Sequence, residues 1–226
     1  MCGRYTLTSD VDDLAEAFAG IAWPETLPPR YNIAPTQGVL AVPNTSDRAV
    51  ALLRWGLIPP WAKDPAIGNR MINARAETLA EKPSFRSALK RRRCLIPADG
   101  FYEWQKPAAR GGAKTPMHVR LTSGAPFAFA GLWEVWHAPD GSEIASCTII
   151  TTTPNELMAP IHNRMPVILA PDAYDPWLDP AERSSKELAA LLTPYPAAEM
   201  TANPVGATVN NPRNDSPDCI LAVKNA

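Results

Sequence analysis

Twenty-five prolines spread along the whole chain are its tightest structural constraint. A proline lacks an amide hydrogen and clashes with the preceding helical turn, so each one stops a helix or confines a strand to an edge. Long helices are excluded, and the chain must be built of many short elements with hard stops between them. One amphipathic helix stands out near the start. Ser9 or Asp10 can cap it, Val11, Leu14, Ala15 and Phe18 form its apolar face, and Gly20 ends it. Strands are expected at 39–43 and 49–55 around the turn-rich Asn44, Thr45, Ser46 and Asp47, then at 100–105, 117–121, 127–135 and 146–152. A brief helix or turn at 156–160 leads into an extended stretch at 164–169. Short helices are expected at 83–93, 174–178 and 184–192, and the small, basic segment 108–114 reads as a mobile hairpin tip. Strands dominate and are mostly hairpin-connected. The expected fold is therefore one α+β domain over residues 1–226, built on an antiparallel, barrel-like β-sheet with flanking short helices.

The apolar share of 46% is enough for a buried core, yet no apolar run is long enough to span a membrane and no charged leader with an apolar stretch opens the chain. A monomer in the cytoplasm is expected, at the nucleoid if the partner is DNA, with no membrane association. The net charge of −1 argues against coating long stretches of nucleic acid, because such binding needs many neutralised phosphates. It leaves room for a short phosphate track. Lys90, Arg91, Arg92 and Arg93 are one candidate; the other reading is a solvated helix end. Cysteines 2, 94, 147 and 219 form no C-x-x-C pair, and Cys147 and Cys219 sit in apolar runs as small buried hydrophobes. Histidines 118, 137 and 162 show no helical ligand spacing. Neither a metal site nor a cofactor is expected.

The first residues, Met1, Cys2, Gly3 and Arg4, carry the most distinctive chemistry. Removal of Met1 would leave Cys2 with an amine and a thiol on adjacent carbons. An α-amine with a pKa of about 7.7–8.0 is partly unprotonated near neutrality, whereas a lysine at about 10.4 is not. Such an amine forms a Schiff base with an aldehyde, and the thiol can then close a thiazolidine ring. Alternatively the amine serves as base for its own thiol, as in N-terminal-nucleophile hydrolases. A third possibility is an ordinary residue entering a first strand.

Three stretches place polar groups where a core pattern wants apolar ones. Asn73 and Arg75 alternate around Ala74, so on a strand they share a face and form either a ligand-binding fork or a buried network. Glu103, between Tyr102 and Trp104, is either an edge residue or a pocketed acid able to exchange a proton near neutrality. His162 can shuttle protons and Arg164 can meet a phosphate, or both are structural. Aromatic and rigid residues in turn-rich segments, Tyr31 to Pro35 and Trp55 to Trp61, suit either core plugs or stacking on unpaired bases.

Together these stretches resemble one family, the SOS-response-associated peptidases that shield abasic sites. The resemblance rests on the opening Met-Cys-Gly-Arg, Tyr31-Asn32-Ile33-Ala34-Pro35, Trp55-Gly56-Leu57-Ile58-Pro59, Asn73-Ala74-Arg75-Ala76-Glu77-Thr78, Gly100-Phe101-Tyr102-Glu103-Trp104 and Ile161-His162-Asn163-Arg164-Met165-Pro166. The closing Asn203-Pro204-Val205 and Val209-Asn210 also fit. It implies a domain that binds single-stranded DNA and cross-links to abasic sites, with Cys2 as nucleophile and Asn73, Glu103 and His162 as the other active-site residues. It implies DNA contacts at Arg4 and Arg75, to which Arg164 is added, and a base-separating wedge at Pro35 and Trp61. Lyase-like nicking and a peptidase step that exposes Cys2 go with that resemblance. The two alternatives are an amidase or peptidase of the N-terminal-nucleophile type and a non-covalent single-strand-binding module.

Overall fold

The computed structural model describes residues 2–107 and 112–223. Five strands close into a ring: β3 (Gly38–Pro43), β4 (Ala51–Trp55), β6 (Arg93–Ala98), β9 (Phe127–His137) and β10 (Glu143–Thr152). Each is antiparallel to its neighbours except where β10 meets β4, so one parallel pair closes the barrel. A second sheet, wholly antiparallel, has the order β13 (Met200–Pro204), β8 (Thr115–Leu121), β7 (Gly100–Gln105), β1 (Tyr5–Leu7) and β2 (Arg30–Ile33). One continuous apolar core joins the two. Tyr5 of β1 meets Trp55 and Phe129 of the barrel edge-on, with ring centroids 5.4 and 5.7 Å away, an orientation that aromatic quadrupoles favour.

The expected strands and helices are present with shifted ends. α1 (Val11–Ala17) is capped by Asp10, whose carboxylate accepts from the Asp13 amide, and Gly20 leaves it with φ +80°. α2 (Arg86–Arg91) runs into β6, α3 is Tyr174–Leu178, and α4 (Ser185–Ala189) starts from a Ser184–Glu187 capping box. The stretch 164–169 is not one strand but two, β11 (Met165–Pro166) on β10 and β12 (Ile168–Leu169) on β9. Val167 divides them because its amide bonds Ile150 of β10 while its carbonyl takes the Ala130 amide of β9. β5 (Asn73–Arg75) lies parallel to β10. Of the expected hairpin tip, residues 108–111 lie outside the described residues, and Gly112, Ala113 and Lys114 are exposed. No helix among the described residues is long and apolar enough to cross a membrane.

The basic run before β6 is not a phosphate track. Arg93 is fully buried, and its guanidinium donates to the carbonyls of Trp177 (2.9 Å), Leu89 (3.1 Å), Lys90 (2.5 Å), Ala181 (3.2 Å) and Asp179. Five N–H groups satisfying carbonyls at the end of α2 and in the 177–181 segment account for a buried arginine with no carboxylate in its fork. Arg92 pairs with Glu134 at 2.8 Å and Arg91 with Glu182 at 3.2 Å, so three of the four cations are committed within the fold.

Candidate functional site

The register of β1 on β7 places the first residues of the chain. Tyr5 lies opposite Phe101 and Thr6 opposite Gly100, and the Tyr102 amide donates to the Arg4 carbonyl at 3.0 Å. Antiparallel pairing then carries Cys2 past Arg4 towards Glu103. The far end of β1 is fixed by Asp99, whose carboxylate accepts from the Thr6 hydroxyl (2.5 Å), the Thr8 hydroxyl (2.8 Å), the Ser9 amide (2.8 Å) and the Thr8 amide. A slip of one residue would send Cys2 to the opposite face of the sheet, and these bonds oppose it. Cys2 is 0% exposed and Glu103 3%. Burial pushes the Cys2 thiol well above the ordinary thiol range, and the nearby Glu103 carboxylate pushes it further the same way. The thiol is therefore held as S–H.

Asn73 and Arg75 occupy a different edge. β5 pairs Asn73 with Ile149 and Arg75 with Thr151, with Ala74 buried between them and Arg75 exposed, as the alternation in sequence requires. The Asn73 amide nitrogen donates to the Ile72 carbonyl at 3.0 Å, while its Oδ1 is buried with no hydrogen-bond partner among the described residues. A buried carbonyl oxygen without a donor is costly, and it stands ready for an incoming N–H or O–H.

His162 follows a turn that the Asn155 side chain organises: its carbonyl oxygen accepts from the Met158 amide, and its nitrogen donates to the Tyr195 carbonyl. Gln105, two residues beyond Glu103 on β7, donates to the Pro160 carbonyl at 3.3 Å and ties this turn to the sheet that carries Glu103. The Arg164 amide lies 3.1 Å from His162 Nδ1. The Arg164 carbonyl lies 3.3 Å from the same nitrogen, so Nδ1 faces both a donor and an acceptor of one residue, and its role follows the ring's tautomer. The Arg164 guanidinium grips Glu77 with both branches, Nη1 to Oε1 at 2.6 Å and Nη2 to Oε2 at 2.9 Å, and also reaches the Thr151 carbonyl at 2.6 Å. Its hydrogen bond to Glu77 holds that carboxyl below the usual carboxylate range.

The remaining expected residues frame this region. Arg4 donates through Nη1 to Asn32 Oδ1 and the Val209 carbonyl, both at 2.8 Å, and its guanidinium lies 5.8 Å from the Trp104 ring centre. Trp104, which sequence reading placed only within a motif, is half-buried and donates to Asn210 at 2.7 Å. Pro35 sits in the turn between β2 and β3, where Thr36 has φ 72° and its amide bonds the Trp55 carbonyl. The Trp55 indole in turn donates to the Ile72 carbonyl beside Asn73. Trp61 is 56% exposed on a loop that Trp136 pins by donating to the Ala62 carbonyl at 2.7 Å. The limbs of that loop cross at Gly56 and Gly68, where a Cβ on Gly68 would lie 2.5 Å from the Gly56 carbonyl oxygen. The structure thus places Cys2 beside Glu103 on one sheet. It places Asn73, Arg75 and Arg164 along β5 and β10, with His162 against the Arg164 backbone, and Pro35 and Trp61 on buttressed loops.

Residues 1–212 match the family model described as SOS response associated peptidase (SRAP). The abasic site processing protein YoqW of Bacillus subtilis (strain 168) is 51% identical over 226 residues, which cover 97% of this chain and 99% of that protein. The abasic site processing protein HMCES of Xenopus tropicalis is 32% identical over 265 residues, covering 99% of this chain and 78% of that one. A protein of Bacteroides thetaiotaomicron known from an X-ray crystal structure has a TM-score of 0.87 at 27% identity, covering 99% of this chain and 100% of that one.

Proposed function

The chain belongs to the SOS response associated peptidase family, and from that premise we propose that it handles abasic sites in single-stranded DNA by joining them covalently to Cys2. The observation that carries this reading is the position of Cys2, held by the β1 register in the interior within electrostatic reach of the Glu103 carboxylate. An abasic deoxyribose equilibrates between a closed ring and an open aldehyde. Glu103 transfers a proton at the ring oxygen and so favours opening. With Met1 removed, the Cys2 amine attacks C1′, and loss of one water gives a Schiff base. The thiol then adds across the C=N bond, its hydrogen passing to nitrogen, and a thiazolidine results. Aldehyde plus aminothiol equals thiazolidine plus water, so no oxidant or cofactor is needed. The protonated thiol fits this order, because imine formation uses only the amine.

His162, whose Nδ1 lies against the Arg164 backbone, suits the proton traffic as water leaves. The donorless Oδ1 of Asn73 suits a reacting N–H or O–H. Two side activities follow from the same chemistry. The Schiff base permits β-elimination and strand nicking, and peptide cleavage in this reading is limited to exposing Cys2. The direct test is intact-mass measurement after incubating the mature protein with an abasic oligonucleotide. The expected product weighs protein plus oligonucleotide minus one water. Turnover of an amide with no such product would instead favour the N-terminal-nucleophile hydrolase.

Arg75 is exposed, which suits a backbone-phosphate contact, whereas Arg4 already serves the fold through Asn32 and Val209. Arg75→Ala is expected to weaken DNA binding for every sequence and to flatten the log–log salt dependence by about one unit, with the melting temperature unchanged. Arg4→Ala should lower both affinity and melting temperature. Polarisation titrations over a salt series, beside thermal melts, separate the two; an unchanged slope for Arg75→Ala removes it from the DNA interface.

A further inference from the structure

We propose that Gln37 is a positioning residue for Pro35, holding rigid the turn that presents it; the functional part of this proposal rests on reading Pro35 as the base-separating wedge. Ala34, Pro35, Thr36 and Gln37 form a tight turn between β2 and β3, with proline second and a left-handed residue third, the type II pattern. That third place suits glycine, yet Thr36 fills it at φ 72° and is exposed. A β-branched residue keeps such a conformation only where its surroundings impose it. The turn's own bond, from the Gln37 amide to the Ala34 carbonyl, is long at 3.4 Å, so the constraint comes from elsewhere. Strand β4 supplies one side of it: the Thr36 amide donates to the Trp55 carbonyl at 2.8 Å, and the Trp55 amide to the Gln37 carbonyl at 2.9 Å. The Gln37 side chain supplies the other. Its Oε1 accepts from the Ala34 amide at 3.2 Å and from Arg30 Nη2 at 2.7 Å. Both neighbours can only donate, so the atom between them is the amide oxygen and the orientation of the side chain is settled. Arg30 is itself anchored: its Nε donates to one Asp215 oxygen at 2.5 Å, while the other accepts the Tyr31 and Asn32 amides. A proline that enters between two bases works only if the backbone behind it does not yield. Gln37 is the side chain that closes this backbone.

The test uses 2-aminopurine, which brightens when unstacked, placed beside a tetrahydrofuran abasic analogue in a single strand. The analogue has no aldehyde, so no adduct is needed. At saturating wild-type protein the base should brighten, and Pro35→Ala should lose most of that gain. Gln37→Met keeps the length of the side chain but not its amide oxygen, and should lose as much while remaining folded by thermal melt. Gln37→Glu keeps the acceptor and should retain the gain. In the Pro35→Ala background, Gln37→Met should cost nothing further. Hydrogen exchange of the Ala34 amide should quicken roughly tenfold in Gln37→Met, the scale of one lost hydrogen bond, and stay slow in Gln37→Glu. Wild-type brightening with Gln37→Met overturns the proposal. So does a further loss in the double variant, which would mean that Gln37 acts on DNA independently of Pro35. Should Pro35→Ala brighten the base as wild type does, the wedge reading and the function given to Gln37 fail together, and Ala34 exchange still decides whether Gln37 holds the turn.

Discussion

Protein that keeps even one residue ahead of Cys2 will fold normally and form no covalent adduct with an abasic oligonucleotide. The contacts that set β1, Asp99 with Thr6, Thr8 and Ser9 and the Tyr102–Arg4 backbone bond, begin beyond Cys2, so an extension leaves them intact. The chemistry does not survive. A free α-amine with a pKa of about 7.7–8.0 offers a sizeable unprotonated fraction at pH 7.5. Once acylated, its lone pair is shared with a carbonyl and does not attack an aldehyde. Gel-shift under denaturing conditions should fall to background while the thermal melt is unchanged. Cys2→Ser separates the two halves of the aminothiol: its amine still forms a Schiff base that borohydride can trap, but no heat-stable ring closes, because a hydroxyl is a far weaker nucleophile than a thiol. If the extended protein cross-links as well as the free one, the amine is not the reacting group. Cys2→Ala bears on the non-covalent alternative. That alternative requires DNA affinity to be retained and an adduct to be absent from wild type and variant alike.

Much of the fold was legible because its signals are local. The aromatic run of β7, the alternation in β3 and β4 and the Asp10 cap of α1 each lie within a few residues of the element they specify. The short strands around β7 were not legible. β1 has three residues, β2 is a polar Arg-Tyr-Asn-Ile, and β13 ends on a proline. Their places come from partners far along the chain, such as Asp99 for β1, some ninety residues away. Likewise nothing local tells Arg93 from the three cations before it. It is buried because the end of α2 and the 177–181 segment leave carbonyls that need a donor. The residue types of the site, Cys2, Asn73, Glu103 and His162, could be read for their chemistry. That Cys2 lies beside Glu103, and that Glu77 holds Arg164, are tertiary facts with no signature in spacing.

Glu103→Gln is expected to slow adduct formation by roughly 10²–10⁴-fold, the usual range for losing a general acid or base. The substitution keeps the volume of a residue that is only 3% exposed and preserves its strand position opposite Met117, so DNA affinity should hold. Its electrostatic effect runs the other way from its catalytic one. Burial is the larger cause of the raised Cys2 thiol pKa and stays in place, but the negative charge of Glu103 adds to it and would be gone. Removing a nearby negative charge favours the thiolate, so the thiol pKa falls and more thiolate is present at any given pH. Were ring closure by sulfur rate-limiting, Glu103→Gln would be as fast as wild type or faster. Were proton transfer in opening the sugar rate-limiting, it would be slower at every pH. The sign of the change therefore identifies the slow step. Single-turnover rates between pH 5.5 and 8.5 read it, and a rate at or above wild type throughout would mean that proton transfer by Glu103 does not limit adduct formation and that its charge acts as an electrostatic brake on the thiol.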